Sequence, residues 1–510
     1  MIISLSVLVI TIIVSGTYAL YKAQLSKNIG VNTTTHGLAY YINYVKGTDI
    51  TAATLNPSTS YEGGASSDIE FWKKDDSYDI YGKIELTVNT IGTNLSNSPA
   101  LKYAVVNNGN VLKEGSLKGT TSGSKVTILK NLYLEQTKQI YTVYVWLDNS
   151  EELGNISNES LSISVDCTAS LQKEPTAADT IISLYTSAAK VTATNNSITY
   201  NTAPSVSLMN DRLGGTTTSL DGGNIRYYGA SPNNYIYFNC SDYSNQTSST
   251  CETWRIIGVF DGKLKLIKSE SIGAYSWDNK DTSTGAENDT GKNDWTTARL
   301  MKLLNPSNYY KVDSNDNNLG QSLYYNSASG KCYSGQNNAT VDCDFTSTGI
   351  KNAETRNMIA ETTYNLGGWN SNSVYSNQIY EYERGTTVYS GRPTTWKGKI
   401  ALAYPSDYGY AADLNQCKDK TLYDYDNRTC TSNNWMKAII TNNGSNTGWL
   451  LTPRSGSSSN AWYVNSGGFV SRDSIAYVAY GAVPVLSLSS ELGIESGGDG
   501  SSSKPYKLSA

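Results

Sequence analysis

Between Asp79 and Val165, short apolar runs alternate with polar residues and are separated by turn-forming clusters. Ile84, Leu86 and Val88, then residues 101–106, 126–129, 140–147 and 161–165, read as strands, with turns at 107–110, 120–124 and 148–155. Along 140–147, Tyr141, Val143, Val145 and Leu147 fall on one face, and the period of two assigns that face to a core. This spacing predicts an antiparallel sandwich of immunoglobulin-like architecture. It carries no visible chemistry, so a spacer or stalk is its plain role.

The pattern then changes period. Pro175 and Thr176 open a predicted helix to about Ala189, with Ile181, Ile182, Leu184 and Tyr185 on its apolar side. Residues 195–223, rich in Thr, Ser, Asn and Gly, read as a linker or a loosely packed entry strand. Residues 235–238 and 254–260 are strand-like, and Asp261-Gly262 turns the second into 263–268, a strong hairpin signal. Helices are predicted at 294–304, at 350–366 with a stop at Gly367-Gly368, and at 435–440. Strands follow at 399–404, 449–454, 461–464 and 481–488, with a Ser-Gly-Gly turn at 465–468. Strands, helices, long loops and strands again indicate an α+β unit. The expected organisation is multidomain: a leader at 1–24, an all-β stalk at 25–168, a helix and linker at 169–224, and the α+β domain at 225–510.

Residues 2–21 contain no charge and are rich in Ile, Val and Leu, long enough at ~20 residues for a membrane-spanning N-terminal hydrophobic helix. A signal peptide cut after Ala19 is the other reading, although no charged segment precedes the apolar run. Either way the first contact with a membrane is through this segment. Six of the seven cysteines form near pairs, Cys240 with Cys251, Cys332 with Cys343 and Cys417 with Cys430, each enclosing a polar loop. Local disulfides in an exported, extracellular or cell-surface protein follow, and Cys167 is left as a buried or free thiol or an intermolecular partner. Zinc would require closer cysteine spacing and more histidine.

Composition removes several functions. The net charge of −5 has no long run of either sign, so nucleic acid is not an expected partner. His36 is the one histidine and stands apart from any nucleophile motif, which excludes a Ser-His-Asp triad or a His-rich metal site elsewhere. Thirty-nine Tyr against 5 Phe, with abundant Ser, Gly and Asn, is the composition of recognition surfaces, and equally of small β domains with Tyr at strand edges.

Three runs carry a likeness: Asn233-Asn234-Tyr235-Ile236-Tyr237-Phe238-Asn239-Cys240, Cys251-Glu252-Thr253-Trp254-Arg255-Ile256-Ile257-Gly258-Val259, and residues 398–410 from Gly398-Lys399-Ile400 to Tyr408-Gly409-Tyr410. They resemble a family of secreted bacterial surface proteins without an assigned biochemical function. The closing Trp449-Leu450-Leu451-Thr452-Pro453 through Val485-Leu486-Ser487-Leu488 is similar to the last strands of C-type-lectin-like domains, the fold of formylglycine-generating-enzyme-like and variable receptor-binding proteins. The resemblance implies a ligand-binding face on loops around the final strands: Arg454, residues 455–460, Trp462, Tyr463, Asn465, Arg472, Asp473, Tyr477 and Tyr480. Its partner would be a glycan or a protein, and the expected role is adhesion. The calcium-lectin signatures are absent, and no cysteine follows Cys430 to serve the formylglycine-generating chemistry.

Other chemistry is thinner. Asp313, Asn315 and Asn317 alternate like the start of a calcium loop, but Asn318 and Tyr324 stand where Gly and Glu are required. Calcium could instead be held around Asp278, Asp281 and Asp289, and otherwise no cofactor is expected. Glu381, Glu383, Asp407 and Asp413 supply carboxylates for a glycan hydrolase, the alternative function, although 381–384 reads first as an exposed charged stretch. A pilin-like structural subunit is the third reading.

Overall fold

Alternation governs the first unit, residues Met1–Glu174. Along Tyr81–Ile91 every second side chain is buried, so Ile84, Leu86 and Val88 line one face. One sheet runs Ala23–Leu25, Leu161–Ser170, Tyr81–Ile91, Lys125–Tyr133, and the other runs Ile42–Val45, Ala65–Lys73, Ile140–Asp148, Leu101–Asn107, Asn110–Ser116. Both contribute to one core, in which Phe71, Val143, Val145, Ile163 and Cys167 are fully buried. Burial pushes the Cys167 thiol up, away from the reactive thiolate. The computed structural model describes residues 23–25, 41–51, 55–149, 151, 153, 155–156, 159–212, 223–278, 290–311, 319–442 and 444–509. The expected leader helix and His36 therefore lie outside the described residues, and no described helix is long and apolar enough to cross a membrane.

Several strands of this unit were not legible in the pattern, among them Ile42–Val45, Ala65–Lys73 and Asn110–Ser116. Ala65–Lys73 places Ser67 and Lys73 among its inward positions, so its apolar alternation is broken in sequence although both are 2% exposed. Lys73 is satisfied by Tyr133 at 2.9 Å and by Asp76 at 2.7 Å. Asn110–Ser116 is an edge strand with mostly open side chains and no inward apolar stripe to announce it.

The second unit, Pro175–Ala510, opens on the predicted helix, Ala177–Ser187. Thr176 and Asp179 form a reciprocal capping box, and Ile181 and Tyr185 are buried beneath it. Within residues 195–223, expected to be a linker or a loosely packed entry strand, Ile198–Ala203 and Leu208–Asn210 form paired strands, joined to Val191–Asn195 just before them. They begin a nine-stranded sheet that continues through Ile225–Tyr227, Glu252–Phe260, Lys263–Lys268, Val485–Ser487 and Ile400–Ala401, with Tyr235–Phe238 also paired to Glu252–Phe260. The Asp261-Gly262 hairpin is present, with φ of +48° and +71° at its two turn residues, the geometry that favours this pair. Gly258 is needed where the strand crosses Ile225, since a Cβ there would lie 2.1 Å from the Ile225 carbonyl oxygen.

Two expected helices are shortened by competing hydrogen bonds. In 294–304 only Arg299–Leu304 is helical, because the Asp294 carboxylate accepts from the backbone and hydroxyl of Thr296 and holds a turn. In 350–366, Asn352 caps a short Ala353–Met358 helix, and Thr362–Asn365 then pairs as a strand with Thr395–Gly398. The architecture is thus mostly β with few, short helices, in two units.

All three predicted disulfides are formed, Cys240–Cys251, Cys332–Cys343 and Cys417–Cys430, with Cα separations of 3.8, 5.9 and 4.8 Å. Every one belongs to the second unit. Each closes a loop of about a dozen residues, worth ~3 kcal/mol on the chain-entropy account. Reduction should therefore lower the melting transition of the second unit and leave that of the first unchanged, as read by calorimetry with and without reductant.

Candidate functional site

The terminal strands form a five-stranded sheet in the order Ala274–Ser276, Ala479–Gly481, Gly448–Pro453, Asn460–Val464, Val470–Ile475. Both of its faces are packed. Leu450, Trp462 and Val464 enter one core cluster, while Trp449, Leu451 and Ala461 enter another, as alternation along the strands requires. Trp462 is 0% exposed, and its indole N–H has no protein partner. This corrects the expectation that it contacts a ligand: it is a core side chain.

Five of the other expected residues fall into two groups, and Asn465 and Tyr477 stand apart from both. Tyr463 and Tyr480 are half-buried with ring centroids 5.5 Å apart, and Tyr480 also packs on Trp449 at 4.7 Å. Burial raises the Tyr463 hydroxyl, a hydrogen bond with Ser471 opposes this, and Tyr480, Asp473 and Tyr423 lie close enough to be felt. Arg454, Arg472 and Asp473 form the second group. Arg454 Nη1 donates to Asp473 Oδ1 at 2.6 Å, Arg472 Nη1 pairs with Asp473 Oδ2, and Asp473 remains 48% exposed. Asn465 spends its side chain inside its own turn, accepting from the Gly468 backbone at 3.0 Å. Tyr477 is half-buried, and its backbone carbonyl accepts from Ser276.

Asn370, absent from the expected set, is what joins the arginines. Arg454 Nε donates to its side-chain oxygen at 2.7 Å and Arg472 Nε to its backbone oxygen at 3.1 Å. Beside it, Trp369 lies face to face on Tyr382, with centroids 3.9 Å apart and planes 4° from parallel. Gly367-Gly368, read as a helix stop, instead allows the chain to pass against its neighbours: a Cβ on Gly368 would lie 2.1 Å from the Pro453 carbonyl oxygen. The signal in the sequence was the glycine pair before Trp369, which marks close backbone approach as well as termination.

Behind this rim lies a buried ionic network. Asp407, at the start of the Pro405–Tyr410 helix, accepts from Arg226 Nη1 at 3.0 Å, from Lys265, and from the Tyr404 backbone at 3.0 Å. Arg226 Nε donates to Asp211 at 2.5 Å, and its guanidinium rests on Phe260 at 4.6 Å and Tyr410 at 4.7 Å. Burial alone would raise Asp407, but the Lys265 and Arg226 cations outweigh it and hold the carboxyl below its usual value. Glu383 accepts from the Ser406 backbone at 2.9 Å and hydroxyl at 2.5 Å. Burial pushes it up to about 7, despite Arg384 and Ser406, with Asp407 adding to the rise.

The stretch 381–384 is therefore not simply an exposed charged segment: Glu381 is open, and Glu383 is 0% exposed. Glu383 and Asp407 have the split protonation of an acid and base pair, but both are buried and already bonded to protein. No sugar reaches them in this conformation.

Asp278 is also buried, and its oxygens accept from the Lys292 and Arg299 backbone N–H groups at 2.9 and 3.2 Å. Asp281, Asp289, Asp313, Asn315 and Asn317 lie outside the described residues. Among the described residues no group of three or more His, Cys, Asp or Glu is placed to hold a metal. The depression lined by Tyr275, Ser276, Arg299, Leu303 and Tyr333 measures about 10 Å³, room for about one water.

No family model matches this chain, and no curated protein matches it. Among solved structures, crystal structures of two mutants of HCR/D are similar at 12% identity and a TM-score of 0.15. The alignments cover 51% and 50% of this chain and 76% of each of those chains. Likeness of that size carries no argument about fold or activity.

Two outcomes follow from the site. Trp462→Ala should cost ~3–5 kcal/mol by opening a core cavity, whereas Trp462→Phe, which also removes the orphan N–H, should cost clearly less in chemical denaturation.

The second concerns pH. Glu383 binds its proton more tightly folded than unfolded, so its contribution favours folding at low pH and declines as pH rises from the unfolded carboxyl value towards about 7. The Asp407 contribution has the opposite sign, present above the unfolded carboxyl value and lost as pH falls through the lower folded one. Glu383→Gln should flatten the stability decline between about pH 4.5 and 7. Asp407→Asn should destabilise by ~3–5 kcal/mol at pH 7, by leaving buried cations uncompensated. Denaturation across pH for the two variants checks both signs.

Proposed function

We propose that this chain is an extracellular binding protein, in which an immunoglobulin-like first unit acts as a stalk and a C-type-lectin-like second unit binds a glycan or protein. The disulfides and β-rich fold are consistent with an extracellular protein. The observation that carries the binding role is the Arg454–Asp473–Arg472 constellation, its arginines partly buried and its Asp473 open, pinned by the exposed Asn370. Charged side chains fixed before a ligand arrives lose little freedom on binding, which is the economy of a recognition surface. The half-buried Tyr463 and Tyr480 and the exposed Tyr423 extend it with rigid rings. Attachment through the N-terminal apolar segment, and a role in adhesion, complete the proposal. Glu383 and Asp407, the adjacent pair with split protonation, are enclosed, so a binding role is favoured over turnover.

The test is a combined glycan and protein array probed with the full chain, followed by the Arg454→Ala/Arg472→Ala double variant. A bound ligand should lose at least ~10-fold in affinity, about 1.4 kcal/mol. A double variant that keeps its circular dichroism and melting temperature and binds every ligand as the parent does would remove this rim from the function.

A further inference from the structure

The hydrogen-bond inventory of the rim is one-sided. Arg454 and Arg472 each spend Nε on Asn370 and Nη1 on Asp473, and neither Nη2 has a protein partner among the described residues. The Asn370 side-chain nitrogen is likewise unpartnered there, while its two oxygens are taken by the arginines. Donors thus gather around one exposed residue, and the nearby carboxylate is already bonded to both guanidinium groups. Two cations against one anion leave the cluster formally at +1 in a chain of net charge −5. Such a donor-rich, locally positive patch complements an oxyanion with several lone pairs, which guanidinium groups bind through parallel N–H bonds.

Trp369, adjoining Asn370 in the chain, supplies the second half of the match. Its ring is fixed by stacking on Tyr382 and remains partly exposed. A rigid aromatic plane beside fixed donors suits the apolar C–H face of a hydroxylated ring bearing the anion. Resting on the binding role proposed above, we infer that the rim takes an acidic saccharide, with a carboxylate or sulfate on the Arg454 and Arg472 Nη2 groups and a sugar ring against Trp369. Asp473 and Asn370 act as positioning residues that hold the two guanidinium groups side by side.

The experiment measures binding of the full chain to four immobilised probes: an oligogalacturonate, its methyl ester, a sulfated oligosaccharide and its unsulfated parent. One or both acidic probes should bind at least ~10-fold tighter than their neutral counterparts, and the two acidic arms tell carboxylate from sulfate. Arg454→Gln and Arg472→Gln should each abolish that preference while leaving melting temperature unchanged, and Arg454→Lys should restore part of it. Trp369→Ala should weaken acidic and neutral probes alike. Equal binding of acidic and neutral probes, no binding of any saccharide, or a preference that survives both glutamine variants overturns the inference. A protein or neutral-glycan ligand lost on changing the arginines would overturn it while leaving the binding role intact.

Discussion

The second unit is organised around one buried carboxylate. Asp407 joins Arg226 on the Ile225–Tyr227 strand to Lys265 on the Lys263–Lys268 strand, and through Arg226 it reaches Asp211. It also accepts from the backbone of Tyr404, so it fixes the start of the Pro405–Tyr410 helix against the sheet. Charges enclosed in this way are costly unless each is matched, and the matching is geometric. Two cations and two carboxylates close the account, with Phe260, Tyr410 and Tyr404 facing the cations where water is excluded. Such a set contributes less to stability than to uniqueness, since an alternative packing would strand an ion in the core.

That frame reaches the rim through backbone as well as side chain. Glu383 receives Ser406, the residue before Asp407, and the Glu383 carbonyl accepts from Gly367 at 3.0 Å. Gly367-Gly368 then threads between the helix carrying Glu383 and the strand ending at Pro453, and delivers Trp369 and Asn370 to the surface. Asn370 gathers Arg454, just past the end of the Gly448–Pro453 strand, and Arg472, within the Val470–Ile475 strand. A recognition surface built like this has exposed chemistry on a rigid support. The loops themselves need little internal order.

The chain end is part of the same economy of burial. Val485–Ser487 lies between Lys263–Lys268 and Ile400–Ala401 in the large sheet, so the second unit cannot complete its core until residues 485–487 are present. Long-range pairing of this kind raises contact order and slows folding. The three local disulfides act in the opposite direction by closing short loops and narrowing the unfolded ensemble.

Local patterns were legible because their causes are local. The period-two face of Tyr141, Val143, Val145 and Leu147, the Asp261-Gly262 turn, the Thr176 cap and the three cysteine pairs each depend on residues close in sequence. Arg454, Arg472 and Asp473 were visible as polar residues beside strands, but their union through Asn370 was not, since nothing near any of them in the chain names the fourth partner. Trp462 read as a contact and proved to be core, because a strand packed on both faces hides rings that a one-faced strand would show. Glu383 read as open charge, and the approach of Ser406, together with the neighbouring Arg384, made its burial tolerable. Composition and periodicity thus determined the strands, turns and crosslinks of this protein. Which side chains meet water was decided by tertiary packing, because exposure depends on what other elements cover a residue.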